Sequence, residues 1–433
     1  MTIEAVGLVG MTGGVGGVQD AIVVDANSRS ESIRIANMIL FLHIRYRAPG
    51  GEERVVDDLM WLVRERIGET AELVARDSNG GGRNRAAAGL LRGGLDPGEV
   101  GDAVRRTGAR VVHAHNIHPT FGWRGLAAAR AAGARVVLHL HQYRLVCAVG
   151  VCFTDGQECT RCHGRNTLPG VLRNCRGSRP EALVYGAGLA LWQRRVVEQA
   201  DAVIVPSEFA RERLRELGAP LPWERVHVLA PPVRALEQGG PAARRRSEGY
   251  ALVVARQSPE KGIDVAIEGC RQVGIPLVVA GAGLGGGGAS AERPGGAAVE
   301  SRAGGSAGAR KDERGGVRFV GRVDDARLAA LRAGAALALV PSRSAETFGL
   351  AAAEAMAAGV PVAGSRVGAL PELLEEQAMA PPGDARALAE AIERVRADPN
   401  AGERARERIR ALCAPEVVAE KLAEVYRAAA AGW

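Results

Sequence analysis

Aromatic residues make up only 4% of this 433-residue chain. Lysine is scarcer still: Lys261, Lys311 and Lys421 are the only three, in a chain that otherwise uses arginine. No run of eighteen apolar residues occurs and no secretory signal is seen, so a cytoplasmic protein without a membrane-spanning helix is expected. No Asp-x-Asp sequence is present, so no carboxylate pair is placed to hold Mg²⁺, and no catalytic metal is expected. No stripe of basic and aromatic residues marks a nucleic-acid surface. What is present suits a globular protein. The apolar fraction is 47%, and the length exceeds one ordinary core and fits two domains. The net charge of +7 favours anionic partners: a nucleotide, a phosphate-bearing lipid or an anionic membrane.

The most informative stretch runs Glu346-Thr347-Phe348-Gly349-Leu350-Ala351-Ala352-Ala353-Glu354. The apolar run Ala335 to Val340 before it reads as a buried parallel strand. The block is therefore strand, loop with Glu346, then an alanine-rich helix carrying Glu354. Amides near Gly349 and Leu350 open that helix and can take a phosphate. Glu354, one to two turns in, can accept from a pair of ribose hydroxyls. A solvated loop Glu and a solvated helix Glu are the ordinary alternative.

A second block, Val253-Val254-Ala255-Arg256-Gln257-Ser258-Pro259-Glu260-Lys261-Gly262, is again strand, loop and helix. Arg256 leaves the strand end and Lys261 opens the helix. Two cations at that spacing can hold a diphosphate and stabilise it as it leaves. A plain surface basic pair is the competing reading.

Taken together these blocks resemble the retaining, nucleotide-sugar-dependent glycosyltransferases of family 4. Arg256 and Lys261 stand in an Arg-x4-Lys-Gly, and Glu346 and Glu354 in a Glu-x7-Glu. Gly359-Val360-Pro361-Val362 and Phe319-Val320-Gly321-Arg322 also match. So do the glycine-rich loop from His43 to Glu53 and two strand ends, Val111 to Asn116 and Leu140 to Cys147. The resemblance covers Met38 to the C-terminus. It implies an α/β chain of the GT-B fold, with two Rossmann-like parallel-sheet domains facing a central cleft.

The expected organisation follows. Residues 1–37 are a leader, disordered or ahead of a natural start at Met38. Residues 38–232 form an N-terminal Rossmann-like acceptor domain with a Cys-rich segment at 147–175. Residues 233–249 are a linker. Residues 250–414 form the nucleotide-sugar domain, with a low-complexity insertion at 285–316. Residues 415–433 carry a helix that, by the resemblance, packs back on the N-terminal domain. Strand and helix alternate through the first domain: Val55–Ile67 helix, Val111–His115 strand, Gly122–Ala132 helix, Val136–His141 strand, Ala182–Ala200 helix, Ala202–Pro206 strand, Ser207–Leu217 helix.

Functional residues of such folds sit at the C-terminal ends of the strands. His43, His113, His115 and His141 are all so placed. His113 and His115 share one strand face, with His115 nearer the cleft. By the resemblance, His141 lies beside the donor sugar. Gly50-Gly51 follows the first strand, where a side chain would block an approaching sugar or diphosphate. The resemblance also gives Glu346 the donor sugar's hydroxyls, and adds phosphate contacts from the amides of Phe348, Gly349 and Leu350.

Five of the seven cysteines crowd into one segment: Cys147, Cys152, Cys159, Cys162 and Cys175. Cys159-Thr160-Arg161-Cys162 has the two-residue spacing that lets two thiolates share a tetrahedral metal. Cys147 and Cys175 can complete a Cys₄ structural zinc site, with Cys152 extra. Reduced thiols and redox chemistry remain the other readings in a cytoplasmic chain. Cys270 and Cys413 read as buried helix cysteines.

The reading is a hexosyl transferase that uses a nucleoside diphosphate sugar. Its acceptor hydroxyl is expected in surface polysaccharide or glycolipid synthesis, and a lipid-linked acceptor and peripheral membrane contact are considered. A GT-B phosphorylase, a nucleotide-sugar epimerase and a non-catalytic scaffold are the alternatives.

Overall fold

The structure, a computed structural model, describes residues 38–46, 50–77, 82–237, 249–283 and 316–431. The chain divides into Met1–Arg34 and Ile35–Trp433, and everything below concerns the second unit. The expected leader, linker residues 238–248 and insertion residues 285–315 lie outside the described residues.

Two six-stranded sheets organise this unit, and each is parallel throughout. The first contains β1 (Met38–Arg45), β2 (Thr70–Asp77), β3 (Val111–Ala114) and β4 (Arg135–His139). A small hairpin of β5 (Phe153–Thr154) and β6 (Gln157–Glu158) intervenes before β7 (Ala202–Val205) and β8 (Val226–Val228). The order across the first sheet is β2-β1-β3-β4-β7-β8. The second sheet contains β9 (Tyr250–Val254), β10 (Leu277–Ala280), β11 (Val317–Gly321), β12 (Ala335–Val340), β13 (Val362–Ser365) and β14 (Met379–Ala380). Its order is β11-β10-β9-β12-β13-β14.

Near-continuous apolar runs explain the central strands. Ile39, Leu40, Phe41 and Leu42 are all fully buried, as a parallel strand covered by helices on both faces requires. Strand β12, Ala335–Val340, is buried along its whole length. The sequence announces these strands but not β2, whose charged Glu72, Arg76 and Asp77 sit on a sheet edge. Strand β4 ends at His139, so His141 stands two residues beyond it in the following loop. The first helix spans Gly51–Leu62 and starts earlier than Val55, because Glu53 folds back to accept from the Gly50 amide, the one half of a capping box that a glycine N-cap allows.

The last helix, Pro415–Ala430, packs on the first sheet. Val418, Leu422, Val425 and Tyr426 share a buried cluster with Ile39, Phe41 and Leu59. Tyr426 also reaches His113 Nδ1 at 2.8 Å.

Candidate active site

The loops after β9 and β12 meet at the carboxyl ends of the second sheet. The amides of Arg343 and Ser344 both donate to the Glu260 carbonyl. Gly262 follows Lys261 with φ +62, and a Cβ there would lie 2.0 Å from the Pro341 carbonyl oxygen. Only glycine lets the two loops come this close. That closeness joins Lys261 to Glu346: Nζ donates to Oε1 at 2.6 Å, and the Ser342 hydroxyl donates to the same oxygen at 2.5 Å.

Burial alone would raise the Glu346 carboxyl. The Lys261 charge and hydrogen bond, the Ser342 hydroxyl and the Arg256 charge outweigh it, so the group sits below its ordinary range. Glu346 is therefore a fixed anion gripped by a cation. Arg256 keeps 62% of its side chain exposed, 3.6 Å from Glu260, so its guanidinium remains open to a ligand. Phe348 is buried and Gly349 caps the Leu350–Ala357 helix at φ +101. The first amides of that helix have no acceptor within it.

Glu354 occupies the helix as expected, but arginines hold both of its oxygens. Arg54 Nε donates to Oε1 at 2.7 Å, and Arg332 bonds Oε2. Arg54 comes from the Gly51–Leu62 helix of the first sheet's layer and also reaches Asp325 at 2.7 Å. A ribose hydroxyl reaching Glu354 Oε1 must share that oxygen with Arg54 or displace it. A Cβ on Gly51 would lie 3.3 Å from Leu350 Cδ2, so the glycine pair serves the approach of the two halves as well as any ligand.

The first sheet supplies the opposite wall. Tyr46, Glu52, His115, His141, Gln142 and Arg144 line one recess there. Thr347, beside Glu346, donates its hydroxyl to the His141 carbonyl at 2.8 Å. Ser207 in turn donates to the Thr347 carbonyl at 2.7 Å. His141 and Glu346 thus stand on two loops that touch.

Behind His141 lies a stack of histidines. His115 Nδ1 and His141 Nε2 are 2.7 Å apart, and His113 Nε2 and His139 Nδ1 are 3.2 Å apart. Burial is the main force holding His113, His115, His139 and His141 below their ordinary range, and for His113 it does so down to about 3. They are neutral at pH 7. His115 does lie nearer the cleft than His113, which turns to Tyr426 instead.

Sequence reading alone does not reveal the roles of Arg54, Arg332, Ser342, Thr347 or His139. Thr347 stands inside the Glu-x7-Glu stretch, and Ser342 lies four residues before Glu346, just past the end of its strand. Glu52 and Glu53 gain a role too: Glu52 accepts from the Tyr46 hydroxyl and from Gln142, both at 2.9 Å, beside His43.

The cysteines converge as well. Cys147, Cys152, Cys159, Cys162 and Cys175 line a single cavity beyond the His141 loop, and all seven cysteines of the chain are unpaired.

Comparison with known proteins agrees with this architecture. Residues 46–232 match the family described as glycosyl transferase 4-like domain, and residues 248–398 match glycosyl transferases group 1. Among curated proteins, a D-inositol 3-phosphate glycosyltransferase of Mycobacterium avium is 32% identical over 249 residues, covering 54% of each chain. A glycogen synthase of Mycobacterium tuberculosis is 39% identical over 122 residues, covering 27% of this chain and 29% of its own. The chain thus spans about half the length, or less, of these curated relatives. Among solved structures, sucrose-phosphate synthase from Thermosynechococcus elongatus superposes with a TM-score of 0.59 at 19% identity, covering 90% of this chain and 98% of its own. Anabaena HepE in complex with UDP and glucose gives 0.57 at 17% identity, covering 89% and 98%. These two share the GT-B fold of paired Rossmann-like domains. The two family matches together take in most of the chain, and the chain belongs to the group 1, family-4-like glycosyltransferases.

Proposed function

We propose that the protein is a retaining glycosyltransferase that moves a hexose-type residue from an α-linked nucleoside diphosphate sugar to an acceptor hydroxyl. One observation carries the reading: Lys261, Glu346 and Ser342 are locked together where two parallel strands end, with exposed Arg256 close by. In such a cleft fixed positive charge stabilises a departing diphosphate without reorganising. Arg256 and Lys261 take that part. The amides of Phe348, Gly349 and Leu350 add phosphate contacts. Glu346 accepts from hydroxyls of the donor sugar, Glu354 accepts from the ribose, which shares Oε1 with Arg54 or displaces it, and Gly50 and Gly51 border the diphosphate. His141 stands beside the sugar. Retention follows from front-face displacement: the glycosidic bond to the diphosphate breaks as the acceptor oxygen bonds the same face, and the departing phosphate takes the acceptor's proton.

The acceptor is a surface glycolipid or polysaccharide precursor, met at the inner face of the membrane. No helix among the described residues is long and apolar enough to cross a membrane. One feature supports a peripheral placement. The exposed large apolar side chains among the described residues are Leu91, Leu168, Leu172, Leu183 and Leu191. Exposed Arg92, Arg165, Arg173 and Arg194 stand within three residues of four of them. That pairing of apolar and basic groups suits an anionic lipid surface.

The decisive experiment is a panel of nucleoside diphosphate sugars, screened by thermal shift and then by transfer. A bound donor raises the melting temperature. A matched donor should give an α-linked product, read by NMR of the new anomeric centre. A β-linked product would remove retention. A panel that neither stabilises the protein nor transfers would favour a non-catalytic scaffold.

A further inference from the structure

Five cysteines line one cavity. Cys152 and Cys159 flank the β5–β6 hairpin, whose base is closed by the Cys159 amide donating to the Cys152 carbonyl at 2.7 Å. Cys162 follows after two residues. A short helix, Leu168–Leu172, then turns the chain back, and the Cys175 amide donates to the Gly170 carbonyl at 3.0 Å. Cys147 enters from the His141 loop. The turns within this one segment thus deliver five sulfurs to one cavity.

The sulfurs have the surroundings of metal ligands. Backbone amides of Val149, Gly150 and Cys152 point at Cys147 Sγ, and the Gly170 amide points at Cys162 Sγ. Cys162 lies close enough to Cys147, Cys159 and Cys175 to feel their charge, as Cys175 does that of Cys147 and Cys159. Cys152 is buried behind Cys147 and hydrogen-bonds to it.

A rival group exists. Among the described residues, only His113, His115 and His139 bring three ligand atoms within 4.8 Å of one another. Their rings are stacked, with His113 and His139 only 9° from parallel, so in-plane lone pairs run side by side instead of converging. Both His113 nitrogens are also taken, by Tyr426 and His139. The thiols stand farther apart around their cavity. A tetrahedral ion with bonds of ~2.3 Å needs sulfurs ~3.8 Å apart, which side-chain rotation must supply.

We infer that Cys147, Cys159, Cys162 and Cys175 bind one structural zinc ion, with Cys152 a buried neighbour that does not ligate. Binding forms Zn–S bonds and releases the thiol protons to solvent, with no change of oxidation state. Four sulfurs close the coordination sphere, so no position remains for water. The ion ties the loop after His141 to the Leu168–Leu172 helix and braces that wall of the cleft.

The test uses the full-length protein purified without chelator. Elemental analysis should find about one zinc per chain. The four ligand thiols should resist a thiol reagent until a chelator is added, and the melting temperature should then fall. Cadmium exchanged into the wild-type protein should show the ultraviolet charge-transfer band of thiolate ligation, a readout that needs no variant. A Cys159→Ser/Cys162→Ser protein should lose the zinc, while Cys152→Ser keeps it. Stoichiometric iron, or no metal with the four thiols freely titratable in the native protein, overturns the inference. Zinc retained by the double variant, or lost from Cys152→Ser, overturns the ligand assignment. None of these readings depends on glycosyl transfer.

Discussion

Lys261 and Glu346 are 85 positions apart in the chain and 2.6 Å apart in the fold. Their pairing shapes what substitutions will do. Arg256→Ala removes an exposed cation, and its partner Glu260 keeps the hydrogen bond from the Ser258 hydroxyl, so it tests the proposed diphosphate clamp. Turnover should fall ~10²-fold or more with the melting temperature unchanged, the range for losing one preorganised charge. Near-normal turnover would take Arg256 out of the site. Lys261→Ala does more, because it leaves the Glu346 carboxylate with only Ser342 and a distant arginine. Its carboxyl should rise toward and above the ordinary range. The variant should therefore lose turnover and also show a new acid limb in its pH profile, which Arg256→Ala lacks.

At the scale of elements, the site depends on how closely two strand-end loops approach. Gly262 and Gly274 both have positive φ, +62 and +65, but an added Cβ meets the Pro341 carbonyl at the first and nothing within 4 Å at the second. Gly274→Ala should cost about 1–2 kcal/mol, the strain of a left-handed backbone alone. Gly262→Ala should cost clearly more, and it should lower turnover because Lys261 moves with it. Denaturant melts of both variants decide this. Equal losses would mean that the contact with Pro341 relaxes freely.

At the scale of the whole molecule, two features predict solution behaviour. The first is the buried histidine stack. Burial pushes His113 down to about 3 in the folded state against an ordinary value near 6.5, and His115, His139 and His141 are lowered with it. Between those values the unfolded chain binds protons that the folded chain refuses. Stability is thus complete above about pH 6.5 and declines as the pH falls below it. Asp58, raised to about 6 mainly by burial, pulls the other way as a single group. Urea midpoints at pH 7.5 and 5.5 should differ in that sense, and an unchanged or higher midpoint at pH 5.5 would contradict it. The second feature is the Arg54–Glu354 pair, which joins the two halves. Arg54→Ala leaves Glu354 its bond to Arg332 but opens Oε1. A nucleoside diphosphate should then bind more tightly by calorimetry. Weaker binding would mean that Arg54 itself contacts the nucleotide.

The sequence by itself determined the alternation of parallel strands and helices, because buried strands must be apolar along their length, as in Ile39 to Leu42 and Ala335 to Val340. It also determined which charged residues stand in the loops and helix that follow two of the strands: Arg256, Lys261, Glu346 and Glu354. Local pattern suffices for both, since each rests on residues adjacent in the chain. Tertiary structure alone decided the partners. Whether Lys261 reaches Glu346, whether Arg54 occupies Glu354, and whether Thr347 touches the His141 loop depend on loops separated by tens to hundreds of residues. Those contacts come from sheet order and loop approach, which no short window of sequence encodes. The edge strand β2 escaped for a related reason: its exposed, charged positions carry no apolar period, and pairing with β1 is what makes it a strand.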